Sequence, residues 1–220
     1  MGQRINDIKT VFQAADTEKL PELIKAYGED GRSGVQALVK SACRKLEALE
    51  KERARLKRMR EYEEKYKEYS CICGIDEAGR GPLAGPVVAG AVILPKDCDI
   101  LYLNDSKQLS EKRREELYGQ IMEKAVAVGV GYAGPERIDE INILQATYEA
   151  MRQAVAALAA APDLLLNDAV TIPQVDIRQI PIIKGDAKSV SIAAASIVAK
   201  VTRDRLMVQY DELFPEYGLE

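Results

Sequence analysis

Four acidic residues stand where acidic residues are expensive. Asp76 and Glu77 follow the apolar stretch Cys71–Ile75, and Asp168 ends the run Leu164-Leu165-Leu166-Asn167. Asp204 falls at the position that continues the three-four spacing of Val190, Ala194, Ile197 and Val201, before Val208. A carboxylate against apolar surroundings is unfavourable unless it is paired, protonated or bound to a metal. For Asp204 an ion pair with Lys200 or Arg205, or a wetter helix edge, accounts for the acid as well as a metal does. If Asp76, Glu77, Asp168 and Asp204 converge, they form an all-oxygen cluster of the type preferred by hard divalent cations such as Mn²⁺ or Mg²⁺. The chemistry served by such a cluster is two-metal phosphodiester hydrolysis, with the ions about 3.5–4 Å apart.

Composition closes most other routes. The 220 residues include no histidine, which excludes imidazole triads, histidine general bases and histidine-ligated zinc. The four cysteines, Cys43, Cys71, Cys73 and Cys98, lack the paired C-x-x-C spacing of structural zinc and are too sparse for a disulfide framework. Cys71 and Cys73 are read as strand positions. Gly79–Gly85 lacks the Gly-Lys-Ser/Thr ending of a phosphate-binding loop, and no G-x-G-x-x-G follows a strand.

The elements that must position these acids begin at Cys71. Cys71–Ile75, Val87–Leu94, Ala125–Tyr132, Leu164–Asn167 and Ile180–Lys184 read as strands, the first two joined by the turn-rich Gly79–Pro86. Ser110–Lys124, Ile138–Ala160 and Ser189–Leu213 read as helices, the last capped by Ser189. Strands in succession and then strand–helix alternation predict an α/β domain with a mixed sheet. Residues 1–70 differ: short helices around Ile5–Gln13 and Pro21–Tyr27 precede one long amphipathic helix from Ser33 towards Tyr69, with Val35, Leu38, Ala42, Leu46, Leu49, Leu56 and Met59 on its apolar face. The expected division is a helical extension, 1–70, and a catalytic domain, 71–220.

Charge supplies a second theme. The chain carries 31 Lys+Arg against 35 Asp+Glu, a formal charge of −4, yet residues 40–60 hold nine Lys/Arg and three Glu. That basic stretch is either a phosphate-backbone contact or a solvated face laced with ion pairs. No apolar run reaches the roughly 18 residues of a membrane span, and no signal segment opens the chain, so a reduced, cytoplasmic protein is expected.

Longer motifs then point to a family. Asp76-Glu77-Ala78-Gly79-Arg80-Gly81-Pro82-Leu83-Ala84-Gly85-Pro86 resembles the opening signature of ribonuclease HII. Asp105-Ser106-Lys107-Gln108-Leu109-Ser110, Leu166-Asn167-Asp168-Ala169, Lys184-Gly185-Asp186-Ala187-Lys188-Ser189 and Ala199-Lys200-Val201-Thr202-Arg203-Asp204-Arg205 resemble later motifs in the same order. The resemblance runs from Cys71 to Gly218. It implies an RNase H-like fold, a central mixed β-sheet flanked by helices, and hydrolysis of the RNA strand of RNA–DNA hybrids. It also implies nicking of duplex DNA 5′ to embedded ribonucleotides, leaving 3′-hydroxyl and 5′-phosphate ends.

By the same resemblance the metal-binding acids map onto Asp76, Glu77, Asp168 and Asp204, and Mn²⁺ or Mg²⁺ is the cofactor. Gly79, Arg80 and Gly81 map onto the segment that senses the ribose 2′-hydroxyl through its backbone, the group that distinguishes RNA from DNA. Lys107 and Lys184 read either as phosphate contacts or as surface lysines, and Asp105 and Asp186 as loop caps. The resemblance further implies a Lys-Gly-Tyr-Gly segment beyond Phe214–Gly218, where this sequence ends at Leu219-Glu220. Asn167 departs from an expected apolar or glycine-flanked context. A monomer acting on RNA–DNA hybrid and ribonucleotide-containing duplex DNA is expected, without membrane. The competing readings are a relative that holds hybrids without cutting them and another RNase H-like nuclease acting on DNA.

Overall fold

The computed structural model describes residues 3–219; Met1, Gly2 and Glu220 lie outside the described residues. Contacts divide the chain into two compact units, Met1–Arg55 and Leu56–Glu220. In the first, α1 (Ile5–Ala14), α2 (Leu20–Tyr27) and the start of α3 (Ser33–Met59) close a small core of Ile8, Phe12, Leu20, Val35, Val39 and Ala42. The spacing of Val35, Val39 and Ala42 is the three-four repeat of one helix face, which is why this segment is helical and amphipathic.

The long helix expected to run towards Tyr69 stops at Met59. Arg60 leaves helical geometry (φ −92°, ψ 9°), and a short helix, α4 (Glu61–Lys65), resumes after it. At this break the Arg60 guanidinium donates to the carbonyls of Cys98, at 3.0 Å, and Lys96. Arg60 is thus committed to a loop of its own unit, and Arg55 pairs with Glu52 at 2.7 Å, so this part of the basic stretch makes internal contacts.

The second unit is built on a five-stranded sheet of order β3-β2-β1-β4-β5. The strands are β1 (Ile72–Ala78), β2 (Val87–Ile93), β3 (Ala127–Ala133), β4 (Leu164–Asp168) and β5 (Arg178–Ile182). β1–β2 and β2–β3 are antiparallel; β1–β4 and β4–β5 are parallel. The mixed sheet predicted from the sequence is therefore observed. The strand ends differ from expectation by one to three residues: β2 stops one residue early, β3 and β5 are shifted, β4 extends to Asp168, and β1 runs on through Asp76 and Glu77 to Ala78.

Helices cover both faces. α7 (Val190–Leu213) packs on β1 and β2, with α5 (Glu111–Lys124) outside it, over a core that includes Val92, Leu117, Ile121, Ala194, Ile197 and Val201. α6 (Pro135–Ala156) covers the other face through Ala146, Ala150, Met151 and Ala154 against Cys73, Ile75, Ala89 and Ala91. Ser189 caps α7 as expected, its hydroxyl accepting from the Ile192 amide at 3.2 Å. Asn142 breaks α6 with φ +67°, and its side chain accepts from the amides of Leu144 and Gln145, capping the longer second segment.

The register decides where chemistry can happen. Ile75 lies opposite Asn167, the last pair of the parallel β1–β4 ladder, so the next residues, Asp76 and Asp168, stand at the same level of the sheet, just where those two strands part. Asp168 in turn lies opposite Ile182 of β5, after which the chain turns through Gly185–Ala187. The carboxyl ends of three parallel neighbours thus open on one place, the position at which open sheets commonly bind ligands.

Candidate active site

Asp76 is the deepest acid of the group, only 5% exposed, on a strand with α7 across its face. A glycine two residues earlier permits that approach: a Cβ on Gly74 would collide with the Ser191 backbone. The helix so seated presents Ser196, whose hydroxyl hydrogen-bonds to Asp76 and lies 2.9 Å from the Ser106 hydroxyl. Asp76 Oδ1 also accepts from the Glu77 amide at 2.8 Å. Burial, then the neighbouring Glu77 charge, raise the Asp76 carboxyl well above the usual carboxylate range, and Asp168 adds to this.

Carboxylate oxygens of Asp76, Asp168 and Asp186 lie within 4.8 Å of one another. Asp168 Oδ1 accepts from the Gly185 amide at 2.7 Å, which ties the end of β4 to the turn carrying Asp186. Burial raises the Asp186 carboxyl, as do the charges of Asp105 and Asp168. Glu77 sits beside this trio: its side chain is 14% exposed and its Oε1 accepts from Arg80 at 3.1 Å. Its Oε2 is buried without a hydrogen-bond partner. Burial raises the Glu77 carboxyl against the opposing Arg80 guanidinium, and Asp168 raises it further.

Crowded acids with raised proton affinities and one orphaned buried oxygen are a donor set short of positive charge. All the donors are hard oxygens, so the group fits a divalent cation of the Mg²⁺ or Mn²⁺ type. Besides Arg80, the cation that bears on the group is Lys107, whose charge acts on both Glu77 and Asp186. Lys107 is exposed, in the turn Ser106–Gln108 held by Asp105, which accepts the Lys107 amide at 2.9 Å. Lys184 is exposed as well, in left-handed backbone (φ 57°, ψ 48°) next to Gly185. Gly79 begins the loop at φ +104°, Arg80 reaches back to Glu77, and a Cβ on Gly81 would meet nothing within 4 Å, leaving that backbone open to approach.

Asp204 is not brought to this group. It pairs with Lys200 on its own helix and with Arg114 of α5 at 3.6 Å, and its side chain is 33% exposed. The reason lies in the two faces of α7. Ile197, Val201, Asp204 and Val208 form the side towards α5, which loses its apolar cover near the end: Val208 is 48% exposed. The buried end of the helix is instead the side of Ser196, Arg203 and Met207. The ion-pair reading of Asp204 is the one the geometry supports, with Arg114 rather than Arg205 as the second partner.

Asp186, read from the sequence as a loop cap, takes the place beside Asp76 and Asp168. A signal for it existed: it lies in the turn just after the last parallel strand, as Asp76 and Asp168 lie in the carboxyl-terminal halves of the other two. Asn167, fully buried, donates its amide to Gln179 at 2.7 Å and to the Val170 carbonyl at 3.1 Å. It braces the segment after β4 and leaves Asp168 free to face the cluster.

Comparison with known proteins agrees with this architecture. A family model described as Ribonuclease HII matches residues 73–220, and one described as Ribonuclease HII N-terminal domain matches residues 4–67. The chain is similar to ribonuclease HII of Lachnoclostridium phytofermentans, 68% identical over 192 residues that cover 87% of this chain and 76% of that protein. It is 52% identical to ribonuclease HII of Clostridioides difficile over 218 residues, 98% of this chain and 86% of that one. Among solved structures, ribonuclease H2 from Pyrococcus horikoshii superposes with a TM-score of 0.60 at 31% identity, over 68% of this chain and 79% of that one. With the RNase H-like sheet in place and both parts of the chain matched, this protein belongs to the ribonuclease HII family.

Proposed function

We propose that this chain is a metal-dependent endonuclease that hydrolyses the RNA strand of RNA–DNA hybrids and nicks duplex DNA 5′ to an embedded ribonucleotide, leaving 3′-hydroxyl and 5′-phosphate ends. One observation carries the reading: Asp76 of β1, Asp168 of β4 and Asp186 of the turn after β5 share one small volume, with Glu77 and its orphaned oxygen alongside. These four are the proposed ligands for Mn²⁺ or Mg²⁺; the ion pairs of Asp204 favour Asp186 as the fourth member. Such cations supply Lewis-acid stabilisation of charge on the phosphate and lower the pKa of water.

The protein's own groups do the rest. Asp76 is held by Ser196 and by its neighbour's amide, so its carboxylate cannot swing out of the group. Gly79, Arg80 and Gly81 offer backbone to the ribose, and Lys107 and Lys184 offer exposed ammonium groups to the phosphates on either side. The helical segment before the sheet and the domain from Cys71 onward are the two functional parts. A cytoplasmic monomer is the proposed working form; the free state of all four cysteines supports a reducing compartment, and size-exclusion chromatography with light scattering tests the monomer.

The experiment is a labelled DNA duplex with one ribonucleotide, incubated with the protein and Mn²⁺ or Mg²⁺, beside an all-DNA duplex and an Asp76→Asn variant. A metal-dependent nick 5′ to the ribose, absent from both controls, is expected. Binding without cutting would leave a hybrid-holding relative, and cutting of the all-DNA duplex would leave a deoxyribonuclease.

A further inference from the structure

Arg203 is a large cation placed where cations are costly. It is 7% exposed and makes no ion pair among the described residues, since the neighbouring Asp204 turns to Lys200 and Arg114. A buried cation without a counter-ion is unfavourable unless hydrogen bonds offset its lost hydration. What it receives in return is specific. Its Nε donates to the Pro86 carbonyl at 3.1 Å and its Nη2 to the Ala84 carbonyl at 2.9 Å, both in the loop that begins with Gly79-Arg80-Gly81.

The loop is moulded to that guanidinium. A Cβ on Gly79 would stand 2.6 Å from Arg203 Nε, and one on Gly85 would stand 3.1 Å from Nη2 and collide with Met207 Sδ. Both glycines also take left-handed backbone, φ +104° and +89°, so side chains are refused there by conformation and by space. Arg203 and Met207 are one helical turn apart, and Ser196, the partner of Asp76, lies two turns before Arg203 on the same side of α7. One rigid helix face therefore touches a proposed metal ligand at Ser196 and the ribose-reading loop at Arg203, about 10 Å further along its axis.

We infer that Arg203 is a positioning residue that sets the Gly79–Pro86 loop at a fixed distance from the carboxylate group, so that the ribose is read in register with the phosphate to be cut. The inference rests on the function proposed above. The planar fork of arginine is what the role needs, because two carbonyls two residues apart are held from Nε and Nη2 at once; a lysine reaches one.

The test uses the full chain with Arg203→Lys and Arg203→Gln, two substrates and one protease. On the single-ribonucleotide duplex, kcat is expected to fall at least tenfold in both variants, while KM, set by phosphate contacts, moves less than threefold. Trypsin cleavage after Arg80, inside the loop, is expected to rise at least fivefold relative to the mean of the other tryptic sites, a ratio that general destabilisation leaves unchanged. If the unaltered protein cuts neither the single-ribonucleotide nor the all-DNA duplex, the proposed function fails, and the Arg80 ratio alone still decides whether Arg203 holds the loop. An Arg80 ratio within twofold of the unaltered protein, or unchanged kcat per folded molecule, overturns the inference. So does loss of folding in both variants, which would make Arg203 a stability residue.

Discussion

Asp186→Asn and Asp204→Asn should move stability in opposite directions, and only the first should abolish the response to metal. The carboxylate oxygens of Asp76, Asp168 and Asp186 lie within 4.8 Å of one another. At an effective dielectric of about 20, two full charges at that separation repel by about 3 kcal/mol. Asp186 is half-buried and partly screened by water, so about 1–3 kcal/mol is relieved when Asn replaces Asp186. At about 2–4 °C per kcal/mol for a domain of this size, metal-free Asp186→Asn melts about 2–12 °C higher. Asp204→Asn instead loses ion pairs whose carboxylate is 33% exposed, worth about 0–1 kcal/mol, and melts slightly lower. Adding Mn²⁺ at 100 times its dissociation constant stabilises by about 2.7 kcal/mol, or about 5–10 °C. Differential scanning fluorimetry in EDTA and in Mn²⁺, with calorimetric titration of the ion, measures all of this. The unaltered protein and Asp204→Asn should show the metal shift and Asp186→Asn should lose most of it. Loss of the shift in Asp204→Asn with retention in Asp186→Asn would refute the ligand set.

Three further outcomes follow from the same geometry. Asp76, Glu77 and Asp186 all have raised carboxyls, so the metal-free native state holds protons that the unfolded chain releases near the ordinary values of 3.8 for Asp and 4.5 for Glu. Its stability is therefore highest below those values and falls as pH rises towards the raised native values; melting in EDTA from pH 4 to 8 should show the decline, smaller in Asp76→Asn, and equal slopes would count against it. Glu63 of α4 accepts from the Ser189 hydroxyl at 2.6 Å and the Ser191 amide at 3.0 Å at the start of α7. Glu63→Ala should cost about 2 kcal/mol in urea denaturation, and a loss under about 0.5 kcal/mol would show the cap to be idle. Deleting residues 1–55, and not 1–70, spares Leu56, Met59 and Glu63 for the catalytic unit; hybrid affinity should weaken and its salt dependence flatten, and identical affinity at every salt concentration would remove the basic stretch from substrate binding.

Much of the architecture was legible because it rests on local pattern. Val87–Ile93 is apolar throughout and is buried throughout, as a strand covered on both faces must be. Ser110 and Ser189 announce α5 and α7 through caps that the structure contains. The break at Arg60 was not legible, because Ser33–Tyr69 holds no proline, its one glycine, Gly34, lies in the first turn, and the carbonyls that the Arg60 guanidinium meets there belong to residues 96 and 98.

The site divides along the same line. Asp76, Glu77 and Asp168 declare themselves in the sequence, since each is an acid next to an apolar strand, a contrast visible within five residues. Asp186 and Asp204 are told apart only by tertiary structure. Asp204 satisfies the helical repeat, yet the repeat says which residues share a face and not what that face meets; here it meets Arg114 of another helix. Asp186 sits in a glycine turn with no periodicity at all, and becomes a partner of Asp76 only because β1, β4 and β5 lie side by side and parallel. Composition and spacing determined the chemistry this protein could attempt, all-oxygen and without imidazole. Strand order and register, which depend on contacts between residues a hundred positions apart, decided which acids would meet.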